Sequence, residues 1–157
     1  MAPVLKVICS ISGGGWRNRH SRRRQSERID NSFDYATIRV VPYPEREEFF
    51  NAGVILFCPQ RKFLGARITV DGRKLEALAP ELDAEEVRQR LDSIVKICAG
   101  DPSAGPIAQL SQRARFHWLV APRSTIIQTS AVHAGVCDDP EPVLERLFRE
   151  QVMETNS

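Results

Sequence analysis

Four groups of residues in this 157-residue chain carry side chains able to do chemistry. The first is His133 with Cys137, four apart, followed by Asp138 and Asp139. A spacing of four sets two ligands on one face of a helical turn, as a zinc pair requires. Gly135 between them, and the helix-starting Asp139-Pro140, argue for a loop in which Asp139 caps the next helix. No metal site is assigned. The second group is the thiols: Cys58 or Cys137 beside His117 or His133 would make an activated nucleophile. Neither a G-x-S-x-G elbow nor a cysteine-protease signature accompanies them. Cys58 ends an apolar run, where a thiol is inert. His117 and His133 remain as the catalytic candidates, and no cofactor is called for.

The third group is Pro122-Arg123-Ser124-Thr125. A guanidinium, two hydroxyls and adjacent N–H groups can hold a phosphate or a carboxylate. The plainer reading pairs Arg123 with the acids of Glu45-Arg46-Glu47-Glu48. In the fourth group, Glu47 and Glu48 precede Asn51-Ala52-Gly53 at the entry to an apolar segment. A carboxylate and an amide there could bind a ligand or a partner's basic group. The competing reading is a turn, with Asn51 bonded to its own backbone and Gly53 permitting close strand packing or a bulge.

These residues must be positioned by local elements. Asp34–Val41 alternates apolar and polar and reads as a strand, ended by Pro42 and Pro44. Phe50–Cys58 is apolar on both faces, as in a central strand, and Pro59-Gln60-Arg61-Lys62 turns it into an antiparallel partner, Phe63–Asp71. Asp83 caps a helix whose apolar stripe is Val87, Leu91, Ile94, Val95 and Cys98, with Glu86 placed for a capping box and Gly100 as the stop. Ile107–Leu110 reads as one helical turn, Arg115–Val120 as a strand, and Ser124–Thr129 as a further short strand. Asp138-Asp139-Pro140 opens a last helix with Val143, Leu144, Leu147, Phe148 and Val152 inward. The order β-β-β-α-β-β-α implies an α+β domain with a mostly antiparallel sheet. Each helix has a single apolar stripe, so both are expected on one face of the sheet. Val54, Leu56, Ile68, Leu91, Val95, Leu144 and Phe148 are then expected to share one core.

Composition narrows the class. Apolar residues at 42% and charged residues at 27% suit a globular chain of one domain. No apolar run is long enough to span a membrane. The four cysteines are widely spaced without a CxxC pair, which suggests a reducing, cytoplasmic compartment. The net charge of +2 conceals an asymmetry. Residues 1–30 hold seven basic and two acidic side chains, leaving 15 basic and 18 acidic for residues 31–157. The basic segment is expected to be a disordered extension, outside a single domain of residues 31–157. It is the one part suited to nonspecific contact with nucleic acid. Its Gly13-Gly14-Gly15 lacks the Gly-Lys-Ser/Thr of a phosphate loop.

Two blocks carry a family resemblance. One runs from Tyr35 to Cys58, with Arg39, Pro42, the acidic loop and Asn51-Ala52-Gly53-Val54-Ile55-Leu56-Phe57. The other is Arg115-Phe116-His117-Trp118-Leu119, Pro122 to Gln128, Val132-His133-Ala134-Gly135 and Cys137 to Pro140. Together they resemble the bacterial domain-of-unknown-function family 3037 over roughly residues 33 to 150. Ala52 departs from the valine usual there. From the chemistry of their side chains, Arg39, Glu48, Asn51, His117, Arg123, Ser124, Gln128 and His133 are the candidates for ligand or partner binding. The resemblance also implies company: such proteins are often encoded beside kinases resembling the HipA toxin kinase. The expectation is a non-enzymatic protein-interaction or regulatory module, with a HipA-like kinase as a candidate partner. The alternatives are a small enzyme acting on a phosphorylated or carboxylated substrate through His117, Arg123 and His133, or nucleic-acid binding through residues 1–30.

Overall fold

Alternation over an unusually long stretch builds the central strand. The computed structural model describes residues 31–153. Within them β1, Asn31–Tyr43, sends Phe33 and Tyr35 to one face and Ala36, Ile38 and Val40 to the other, all buried. Pro42 does not end it. The pairing with β2, Glu48–Cys58, slips between Val40 and Tyr43, and this irregularity accommodates a residue with no N–H to donate. A second irregularity between Ile38 and Arg39 leaves Ala52 as an extra residue on β2. Gly53 beside it is required by close approach, since a Cβ there would stand 2.5 Å from the Arg67 carbonyl oxygen.

β3, Phe63–Ile68, closes the expected antiparallel hairpin onto β2. It stops short of Asp71. Asp71 instead caps α1, Gly72–Leu78, accepting from the N–H groups of Arg73 and Lys74, and Leu75 is buried beneath it. α2, Ala84–Ala99, begins at Asp83, which accepts from Glu85 N–H at 2.9 Å. Glu86 pairs with Arg90 at 2.7 Å rather than completing the capping box. Gly100 ends α2 in the left-handed region, at φ 74°. The expected turn near residue 107 is a short 3-10 helix, Pro106–Gln109.

Residues 115–120 are helical, contrary to the strand read from their sequence. α3, Gln112–Val120, is capped by Ser111, and it buries Arg115, Phe116 and Leu119 at a spacing of three to four. Trp118 on this helix is 39% exposed. Six residues of apparent alternation were too few to separate a period of 2 from one of 3.6.

The last two strands share one edge of β1. β4, Ile127–Thr129, pairs with Ile38–Val40, and β5, His133–Cys137, pairs with Asn31–Tyr35. Their registers differ by one residue, so they behave as one edge strand broken by a bulge. Ser130 satisfies the break: its N–H donates to the Thr37 carbonyl and its hydroxyl accepts from Thr37 N–H. The sheet order is β3-β2-β1-β4, with β5 beside β4 on the same edge. α4, Pro140–Phe148, follows with Asp139 as its cap, and a π-helical turn continues to Met153.

The fold is thus α+β on an antiparallel sheet, but the helices do not share a face. Leu75, Leu91, Ile97, Phe116 and Leu119 pack with Ile38, Val40, Ile55 and Phe57 on one side. Val143, Leu144 and Leu147 pack with Phe33, Tyr35, Val54, Leu56 and Cys58 on the other. The expected single core therefore divides. Ile68 and Leu91 belong to the first cluster, Val54, Leu56, Leu144 and Phe148 to the second, and Val95 to neither. An apolar stripe requires each helix to meet a sheet face; it does not say which, and β1 and β2 are apolar on both.

Candidate functional site

The α2–α3 side of the sheet leaves one cleft in which several of the singled-out residues meet. It has a volume of about 220 Å³ and opens between α2, the C-terminal end of α3 and β4. Its floor is apolar: Ile94 and Ile97 from α2, Leu119 from α3 and Ile127 from β4. Its rim is polar and basic, with Arg90, Ser93, Arg123, Thr125 and Thr129. Among the described residues no acidic side chain lines it. A cleft of this size accepts a side chain or a small ring, below the range of larger cofactor pockets.

Local chemistry explains why Arg123 stands at the rim. Pro122 cannot continue α3, so the chain leaves the helix extended and returns toward the edge strand. The Arg123 guanidinium lies over the Trp118 ring, 3.9 Å from its centroid, and donates through Nη2 to the Trp118 carbonyl. This cation–π stack fixes an otherwise free side chain. Arg123 does not reach the acidic residues at 45–48. Thr125 donates to the Ile127 carbonyl at 2.7 Å, and Gln128 donates back to the Thr125 carbonyl at 2.9 Å. Ser124 is exposed and outside the lining. Sequence reading missed Arg90 and Trp118 as site residues. Arg90 sits on the polar face of a plain amphipathic helix, and Trp118 fell in a segment read as a strand.

The other candidates lie elsewhere. His117 is exposed on α3, its ring 6.2 Å from that of Phe116, and it does not line the cleft. His133 opens β5 on the opposite face, its ring tilted at 32° to that of Tyr35 with centroids 5.2 Å apart. His117, Arg123 and His133 therefore do not converge on one pocket. His133 and Cys137 are four apart on a strand, hence about 13 Å from end to end, too far to grip one ion. Among the described residues no cluster of three His, Cys, Asp or Glu is arranged to hold a metal.

Arg39 faces Gln128 on one side and Asn51 on the other in the sheet register, so three candidates form one cross-strand row. The Arg39 guanidinium lies 4.3 Å over the Phe49 ring, and its Nε makes no hydrogen bond among the described residues. Asn51 donates to the Gln151 carbonyl at 2.7 Å, tying β2 to the turn after α4. Glu48 is exposed at the start of β2. The Cys98 and Cys137 thiols are unsuited to attack. Burial pushes the Cys98 thiol up to about 12 against the opposing pull of Arg115, and burial followed by the neighbouring Cys58 pushes Cys137 up to about 12.

Fold and cleft together define a small α+β protein with a basic-rimmed, apolar-floored recess beside an edge strand. The chain belongs to the family DUF3037, described as a protein of unknown function, whose model matches residues 35–152. No curated protein and no solved structure matches it. Residues 1–30, with the basic segment and its nucleic-acid reading, lie outside the described residues. Among those described, no helix is long and apolar enough to cross a membrane.

Proposed function

We propose that this protein is a non-enzymatic interaction module that docks another protein at the cleft between α2, α3 and β4. The observation that carries this reading is Trp118, 39% exposed and pinned beneath Arg123 at the cleft's rim. Tryptophan and arginine are the residue types that dominate binding energy at protein interfaces. A large aromatic already immobilised by a guanidinium loses little further entropy when a partner covers it. The genomic company of the family makes a HipA-like kinase the first partner to test, in a cytoplasmic setting.

Co-expression with such a kinase, followed by size-exclusion chromatography, is the test. A stable complex should co-elute at about 1 μM, and Trp118→Ala should weaken it by about 2 kcal/mol, the scale of an interface hot spot. Separate elution of the wild-type proteins would remove the kinase as partner. Co-elution indifferent to Trp118→Ala would move the interface away from the cleft.

A further inference from the structure

We infer that the cleft selects an acidic–aliphatic segment of its partner, with one carboxylate held by Arg123 and Arg90 and the adjoining aliphatic side chain laid on the floor. This rests on the docking reading above and names the chemistry of the occupant. Charge complementarity is the first argument. Among the described residues two guanidiniums and no acid line the cleft, while residues 31–157 as a whole are net acidic. A local positive site on an acidic body favours a carboxylate there and disfavours a basic segment.

The second argument is that Arg123 retains donors. One Nη2 hydrogen goes to the Trp118 carbonyl, and the face of the guanidinium is taken by the indole. Its planar fork has five N–H donors in all, which leaves an edge for a carboxylate. Among the described residues Arg90 pairs only with Glu86, in an i,i+4 pair whose side chains are 51% and 56% exposed. Such an exposed, solvent-screened pair is weak, so a ligand carboxylate can compete for the guanidinium. Size is the third argument. About 220 Å³ over Ile94, Ile97, Leu119 and Ile127 takes one aliphatic side chain and excludes a folded element.

The probe is a capped hexapeptide, acetyl-Ala-Ala-Asp-Leu-Ala-Ala-amide, added to the full chain carrying Trp16→Phe so that Trp118 is the sole indole of the two in the sequence. Indole fluorescence should titrate with a Kd of about 1 mM or tighter, the affinity of a single well-seated contact pair. Replacing Asp by Asn or Lys in the peptide should weaken binding about tenfold or more, as should Arg123→Gln or Arg90→Gln in a protein of unchanged circular dichroism. Equal binding of the Asp and Asn peptides, or none to any, would overturn the inference. Hexanoate binding as tightly as the peptide would overturn the assignment to a protein segment. Kinase co-elution that Trp118→Ala abolishes, with no acidic selectivity, would refute this inference and leave the docking reading standing. Acid-selective peptide binding without kinase co-elution supports this inference and refutes only that partner.

Discussion

Arg115 shows how one residue can be structural where its type suggests function. It is 8% exposed, and instead of meeting a carboxylate it donates to the carbonyls of Ile97 at 2.7 Å, Cys98 at 2.9 Å and Leu110 at 3.0 Å. Ile97 and Cys98 lie in the last turn of α2, where the helix dipole and carbonyls beyond the regular intrahelical ladder both favour a cation, although the Ile97 carbonyl also accepts from Gly100 N–H at 3.1 Å. The guanidinium thereby clamps α2, the segment at 110 and α3 together. Arg115→Ala should cost about 3 kcal/mol or more, because three carbonyls lose a charged donor in a buried place. Arg115→Lys should recover less than half, since an ammonium cannot fork across three acceptors on two segments. Urea denaturation midpoints of the two variants check this, and a lysine variant as stable as the parent would show that charge alone suffices.

Helix placement carries its own measurable consequence. Leu91 on α2 and Leu144 on α4 are 0% and 5% exposed, and they belong to separate clusters on opposite faces of the sheet. Each truncation to alanine should cost about 2–5 kcal/mol, the range for a buried leucine. The informative variant is the double substitution. Side chains separated by a sheet share no cavity, so the two costs should add to within about 0.5 kcal/mol. Leucines facing each other in a single core would couple by more. Equilibrium unfolding of the four members of the cycle distinguishes the two arrangements, on a pseudo-stabilised background where the double variant is too weak to fold alone.

At the scale of the whole molecule, buried protons set an alkaline limit. Cys98 and Cys137 are held up to about 12, and Tyr35 is raised by burial first and then by the negative charge of Glu150. All three groups keep their protons in the folded chain at pH values where the unfolded chain releases them. Their contribution is complete below the ordinary thiol pKa of about 8.5 and is lost as pH rises from there toward about 12. The denaturation midpoint should therefore stay level from pH 7 to about 8 and fall steadily above about 8.5. A level profile to about pH 10 would mean that these side chains reach water. Iodoacetamide at pH 8 should likewise spare Cys58, Cys98 and Cys137 until denaturant is added, because all three are buried.

Much of this molecule was decided locally. The β1–β2–β3 block, α2 with Asp83 and Gly100 at its ends, and α4 behind Asp139-Pro140 follow from alternation, helical spacing and capping chemistry, which act within a few residues. The Arg123–Thr125 segment was recognisable as a polar recognition element for the same reason. Tertiary structure decided the rest. β5 carries exposed His133 and Ala134, and its Gly135 is required because a Cβ would stand 2.5 Å from the Phe33 ring. That strand exists only through pairing with a segment about a hundred residues earlier, so no local pattern announces it. The side of the sheet on which α4 lies was likewise undetermined, because central strands apolar on both faces offer two equivalent surfaces to one apolar stripe. The cleft depends on these long-range choices. Arg90, Trp118 and Ile127 come from three elements and Arg123 from the segment joining α3 to β4, and only their packing brings two guanidiniums over one apolar floor.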